Sequence, residues 1–179
     1  YQADQEIDDV FELFVVPAGG GAALKLNSPL AADWDMSHFK ISPDGARVVY
    51  RILQSVDPWG YETFSAPISG GAAVQIDPDP TIEGLLETFS IAPDSRRLVY
   101  TAYLDEYGVF QLYSMPIGGG ASVRLNGPLV QGGSVNQRVE FSRDSTRVVY
   151  CGDQEVVNKF ELFGTFYTPV DVYLPFVRR

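Results

Sequence analysis

HFKISPDGARVVY at residues 38–50, TFSIAPDSRRLVY at 88–100 and VEFSRDSTRVVY at 139–150 are one phrase written three times. Tyr50, Tyr100 and Tyr150 close it at intervals of fifty residues, and Tyr1 falls in the same phase. Asp44, Asp94 and Asp144 keep register inside it. A period this long marks a repeat architecture, in which each unit buries its apolar face against its neighbours. The chain therefore reads as three full units and a partial one over 151–179.

Within the phrase, Phe39 and Ile41 alternate with polar residues, as do Phe89 and Ile91, then Val139 and Phe141. Apolar residues at every second position place one face of a strand inside. Ser42-Pro43-Asp44-Gly45 follows as a type I turn, with proline and glycine where that turn takes them. Arg47-Val48-Val49-Tyr50 and its copies at 97–100 and 147–150 begin a second strand, rich in the β-branched and aromatic residues of a pleated surface.

Outside the phrase the unit continues. A variable polar loop comes first: ADQEIDDV, ILQSVDPWGY, AYLDEYGV or GDQEVVNK. A third strand follows at Phe11–Phe14, Tyr61–Phe64, Phe110–Tyr113 and Phe160–Phe163. Pro17, Pro67 and Pro116 end it, because proline lacks the N–H that a ladder uses. Glycine-rich turns then lead to a short fourth strand: Leu24-Lys25-Leu26, Val74-Gln75-Ile76 or Val123-Arg124-Leu125. No segment carries a sustained 3.6-residue period, so almost no helix is expected.

Four antiparallel strands per fifty residues match a β-propeller blade. The expected fold is all-β, with about 3.5 repeats in one repeat domain: a partial blade over 1–27, blades at 38–77 and 88–126, and an incomplete last blade over 138–179. A single sheet of stacked hairpins is the alternative. A parallel β-helix uses shorter coils, and an immunoglobulin-like sandwich has no fifty-residue repeat.

The phrase, the ELY-like third strand, the P-x-x-GG turn and the L-x-L strand together resemble the WD40-like PD40 repeat of TolB-type propellers, over about residues 1–163. That resemblance implies a larger propeller of six or more blades. It also implies an exported, extracellular or periplasmic setting, and a role as a protein-interaction scaffold or as an accessory domain of a serine peptidase. After Phe163 the expected proline and glycines give way to GTFYTPVDVYLPFVRR. The blade count is short for a ring, which leaves three expectations. The chain closes as an irregular four-bladed ring, joins further copies of itself, or is part of a longer protein; the latter two are preferred because open blade ends expose edges and apolar faces.

Composition narrows the function. A formal net charge of −10 argues against binding a phosphate backbone. No apolar run is long enough for a membrane-spanning helix, and YQADQEIDDV lacks the basic and apolar parts of an attached signal peptide. Cys151 is the only cysteine, so neither an intrachain disulfide nor a cysteine-based zinc site is expected.

Chemistry is scarce. His38 is the sole histidine and no G-x-S-x-G elbow accompanies it, so a serine triad has no basis. Ser134 follows two glycines but lacks the elbow's second half. Gly19–Gly21 and Gly118–Gly120 precede strands rather than helices, which makes them hairpin turns and not phosphate cradles. The pairs Asp44 and Arg47, Asp94 and Arg97, Asp144 and Arg147 recur with the blade, which assigns them to turn structure. Asp4, Glu6, Asp8 and Asp9, with Asp77 and Asp79, are the densest acids, but they lack a calcium loop's glycine and closing glutamate. The loops are the better lead, since a rigid scaffold displays specificity there. Trp34, Trp59, Tyr61, Tyr103 and Tyr107 lie in or beside them, suited either to sealing blade edges or to gripping a partner. The expected function is a non-enzymatic scaffold that binds protein, further copies of itself included, without cofactor, metal or nucleic acid. The alternatives are an accessory domain of an exported hydrolase and a propeller that binds carbohydrate or calcium.

Overall fold

Alternating apolar positions joined by tight turns give antiparallel ladders throughout. The computed structural model describes residues 1–31, 33–54, 60–76, 89–103 and 108–166, and among them there is no helix. The chain divides into two compact units. The first holds Tyr1–Gly84 with Ile117–Gly119, the second Leu85–Pro116 with Gly120–Arg179.

In the first unit, β1 (Gln2–Ala3), β2 (Glu12–Val15) and β3 (Leu24–Lys25) form a three-stranded sheet in that order. β4 (Trp34–Ile41), β5 (Arg47–Gln54), β6 (Gly60–Pro67) and β7 (Val74–Gln75) form a four-stranded one. The second unit has a four-stranded sheet of β8 (Phe89–Ile91), β9 (Arg97–Ala102), β10 (Gln111–Pro116) and β11 (Val123–Arg124), then a three-stranded sheet of β12 (Val135–Phe141), β13 (Arg147–Gly152) and β14 (Glu161–Phe166). Sequential neighbours pair antiparallel in every sheet, which is the meander of a propeller blade.

The recurring tyrosine has a fixed partner. Tyr50 lies opposite Phe64, Tyr100 opposite Tyr113 and Tyr150 opposite Phe163 across the ladder. Their rings stack at 5.5, 5.7 and 5.8 Å, and Tyr1 stacks on Phe14 at 5.7 Å. Such cross-strand aromatic pairs hold the register of the second and third strands. Burial pushes the Tyr50 phenol up to about 12.

Within each unit the two sheets pack by one rule. Leu13 and Leu26 of the first sheet meet Met36, Val48, Tyr50 and Ile52 of the second. In the second unit, Val99, Leu112 and Leu125 meet Val135, Val148 and Tyr150 in the same way. The face that carries the Leu of the third strand thus receives the tyrosine-bearing face of the following sheet.

The first strands run longer than the alternation indicated: β4 begins at Trp34 and β12 at Val135, so His38 is an exposed residue inside β4. Their register shifts between Met36 and His38, and between Val135 and Val139. A bulge there hides the extension from a period-two reading. The added residues join the sheets: Met36 N–H donates to the Phe11 carbonyl (3.0 Å) and Val135 N–H to the Phe110 carbonyl (2.8 Å). The return bonds run from Phe11 N–H to Asp35 Oδ1 (2.9 Å) and from Phe110 N–H to Ser134 Oγ (3.0 Å).

Candidate functional site

The repeated aspartates of the phrase are engaged within the turn. Ser42 Oγ donates to Asp44 Oδ1 (2.6 Å) and accepts the Arg47 N–H (2.9 Å), while Asp44 Oδ1 also accepts the Ala46 N–H (3.0 Å). Ser142, Asp144, Thr146 and Arg147 repeat these three bonds. Hydrogen bonds from the Ser142 hydroxyl and from Thr146 hold the Asp144 carboxyl down at about 2. The middle copy has Ala92 in place of the serine, and Asp94 keeps only the bond from the Arg96 N–H (3.0 Å).

The arginines reach sideways. Arg47 Nε donates to Ser65 Oγ, and Arg97 Nε to Ser114 Oγ, both at 2.9 Å. In the last blade Gly164 stands at that register position, and the Arg147 guanidinium lies 4.7 Å from the Phe166 ring centre instead.

Of the five aromatic candidates, Trp59 and Tyr107 lie outside the described residues. Within the first unit, Trp34 and Tyr61 do not share a face. Trp34 pairs with Gln54 and Tyr61 with Leu53, one register step apart, so they project to opposite faces of one sheet. Trp34 packs against the core of the first unit. Tyr61 has the Arg51 guanidinium 4.1 Å from its ring centre. In the second unit, Tyr103 meets Phe110 edge to face at 5.3 Å. All three rings are half-buried, and β5 and β6 extend into the stretch that the sequence assigned to a loop around Tyr61.

The acidic loop does gather its carboxylates. Asp4, Asp8 and Asp9 bring oxygens within 4.8 Å of one another, all exposed. Glu6 turns away to Lys25 (2.6 Å), which also reaches the buried Glu12 (3.0 Å); the bond to Glu6 raises the Lys25 pKa above its ordinary value. Three exposed carboxylates fall short of the six to eight oxygens that calcium takes. Asp77 and Asp79 lie outside the described residues. Partial desolvation against the sheet, then the charges of Lys40 and Arg51, hold His38 below its ordinary pKa. Ser134 spends its hydroxyl on Phe110 N–H and its own N–H on Asp153.

Two loops stand out once their geometry is compared. Residues 4–9 and 153–158 occupy the same place in the first and last blades, and both begin Asp-Gln-Glu. The Tyr1 hydroxyl meets Gln5 Oε1 and the Tyr150 hydroxyl Gln154 Oε1, each at 3.1 Å. Asp9 and Asn158 adopt the same left-handed backbone (φ 60° and 61°), which short polar side chains tolerate best. Local bonds from Val10 N–H to the Ile7 carbonyl and from Lys159 N–H to the Val156 carbonyl close the tips. Buried Asp153 further braces the second loop through the Ser134 and Asn158 N–H groups. The two tips thereby present Ile7 and the pair Val156 and Val157 to solvent.

One repeated residue escaped the sequence reading. Asn27 and Asn126 close the short fourth strands, and each buried amide accepts the N–H of the leucine on the third strand (Leu13 and Leu112, 2.7 Å). Each also donates to the next carbonyl, at Ser28 or Gly127 (2.8 Å). The signal was present in LKLN and VRLN at equivalent places.

A scan of protein-family models and a search of curated protein sequences found no match. Solved structures do match. A protein from Agrobacterium tumefaciens assigned as TolB is 21% identical, with a TM-score of 0.51 over 87% of this chain and 51% of its own. The β-propeller domain of the trilobed protease from Pyrococcus furiosus is 12% identical, with a TM-score of 0.51 over 74% of this chain and 38% of that one. Prolyl oligopeptidase B from Galerina marginata is 14% identical, with a TM-score of 0.63 over 92% of this chain and 26% of its own. The chain spans about half the length, or less, of each structure. What they share with it is the fold: the described residues are all-β and form antiparallel sheets of the kind that make β-propeller blades.

Proposed function

We propose that this chain is a non-enzymatic β-propeller scaffold that binds protein, in the exported setting that the TolB-type resemblance implies. The observation that carries the reading is the pair of matching loops at 4–9 and 153–158. Each is fixed by its own hydrogen bonds and offers aliphatic side chains to water on a chain of net charge −10. Apolar groups held rigidly at loop tips cost little entropy to dock, and a partner surface that covers them gains their burial. Photo-crosslinking residues placed at Ile7 and Val157 in the native host compartment test this. Adducts to a protein partner are expected, together with at least an order-of-magnitude loss of capture in a double variant carrying Ile7→Asp and Val157→Asp. A double variant that captures as well as the parent would refute the role of these loops.

A second reading makes the chain an accessory propeller of an exported hydrolase. Its support is the likeness to the propellers of the trilobed protease and prolyl oligopeptidase B. A coding frame that continues past Arg179 into an α/β-hydrolase domain would favour it over the first.

A further inference from the structure

Two of the short fourth strands end in an asparagine followed by a small residue, Asn27-Ser28 and Asn126-Gly127. Asn126 is 3% exposed, and Gly127 is buried as well. The Asn126 amide makes three hydrogen bonds. Its Oδ1 accepts the Leu112 N–H (2.7 Å), and its Nδ2 donates to Gln111 Oε1 (2.7 Å) and to the Gly127 carbonyl (2.8 Å). Asn27 makes the matching set with Leu13, Glu12 and Ser28, its bond to Glu12 stretched to 3.4 Å. Asparagine before glycine is chemically labile, because no side chain shields the next backbone nitrogen from the asparagine Cγ. A serine in that place crowds the same approach. The strand that holds Asn126 is also slight: β11 has two residues, lies at the end of its sheet, and pairs only with β10. The Leu125 N–H adds one bond, to the Leu112 carbonyl (2.7 Å). An end strand this short opens locally well before its sheet unfolds.

We propose that Asn126 is a guarded modification site, converted to aspartate or isoaspartate when the pairing of β10 with β11 opens. In the opened strand base removes the Gly127 N–H proton, and the nitrogen bonds to Asn126 Cγ. The Cγ–Nδ2 bond then breaks, and the amide nitrogen takes up a proton and leaves as ammonia. Water opens the resulting cyclic imide at either carbonyl, which gives aspartate or isoaspartate. In the closed strand the three hydrogen bonds fix the rotation of the amide, and burial keeps base and water from the Gly127 N–H. The step runs one way. An aspartate still accepts from Leu112, but it has no N–H for Gln111 or Gly127 and turns a carboxylate toward the Gly127 carbonyl. An isoaspartate adds a methylene to the backbone and moves the acceptor out of place. The modified strand closes less well, so a transient opening leaves a covalent record. The chemistry needs no partner and holds whatever the loops at 4–9 and 153–158 bind.

Peptide mapping by mass spectrometry reads the site on the full chain, incubated folded and in urea at one mildly alkaline pH. In urea, Asn126 is expected to deamidate several times faster than Asn27, which serves as the internal reference. Gly127→Ala, compared in urea where folding plays no part, is expected to slow that reaction. In the folded parent the Asn126 rate is expected to fall about tenfold or more below its value in urea. Gln111→Ala removes one acceptor of the amide and leaves the Asn-Gly pair intact; it is expected to raise the folded rate about threefold. Deamidated chain, purified and refolded, is expected to exchange its Leu112 amide about tenfold faster than the parent.

Equal Asn126 rates in the folded chain and in urea overturn the guard, as does a Gln111→Ala chain that deamidates no faster than the parent. A rate in urea that Gly127→Ala leaves unchanged overturns the route through the Gly127 nitrogen. A refolded, deamidated chain whose Leu112 amide exchanges as slowly as the parent's overturns the one-way record. The scaffold reading stands or falls separately, on capture by the crosslinkers at residues 7 and 157.

Discussion

Glu-Leu-Phe at 12–14 and Glu-Leu-Phe at 161–163 share side chains, strand position and a stacked aromatic partner, yet their leucines differ from 1% to 71% in exposure. Local sequence places each leucine on the same face of the same strand. The sheet that follows in space decides whether that face is core or surface. Leu13 belongs to the core of the first unit because β4 to β6 bring Met36, Val48 and Ile52 against it. The contrast teaches that a repeat prepares an interface in every unit, while a cover is a separate event.

The comparison can be broken most forcefully at the tyrosines. Tyr100→Ala removes a buried ring stacked on Tyr113 and is expected to cost about 3–5 kcal/mol in urea unfolding. An effect of Tyr1→Ala as large as that of Tyr100→Ala would show that exposure does not separate the two sites. Next come the leucines. Leu112→Ala should cost about 2–5 kcal/mol, and Leu162→Ala about 0.5 kcal/mol or less. Equal losses would mean that Leu162 is buried in the isolated chain.

A smaller effect tests what braces the covered leucine. Asn126→Ala leaves the buried Leu112 N–H without its acceptor, which should cost about 1–3 kcal/mol and speed exchange of that amide. A neutral outcome would show that water replaces the side chain. The smallest expected effect lies in the last blade's turn. The Asp144 carboxyl is depressed from 3.8 to about 2 in the folded chain. Its stabilising contribution is therefore present above the ordinary value and lost as pH falls through about 2. Asp144→Asn should remove that contribution, so stability falls slightly at neutral pH, the acid limb flattens in that window, and the variant and parent converge below about 2. A titration of the Asp144 carboxyl near its ordinary value would remove the basis for this expectation.

Much of the blade was legible in residues. The alternation around Phe39 and Ile41, the Ser-Pro-Asp-Gly turn and the Val-Val-Tyr run specify strand, turn and strand, since each depends on neighbours within a few positions. The long β4 was not legible, because the bulge after Met36 breaks the period on which strand recognition relies. Trp34, Tyr61 and Tyr103 read as aromatics suited to sealing blade edges or to binding; their core, guanidinium and ring neighbours depend on strand pairings that the sequence does not display. The matching loops at 4–9 and 153–158 share Asp-Gln-Glu in plain sight. Their common shape emerges from positive φ at Asp9 and Asn158 and from the tyrosine bonds to Gln5 and Gln154, which sequence spacing alone does not display.

By itself the sequence determined the repeating unit: its strands, its turns and the side of the sheet to which each apolar residue points. These follow from short-range stereochemistry and a period of two. Only the tertiary structure decided which of those faces are covered, because burial depends on a second sheet arriving from far along the chain. That is why two copies of Glu-Leu-Phe became a core in one blade and an open apolar surface in another.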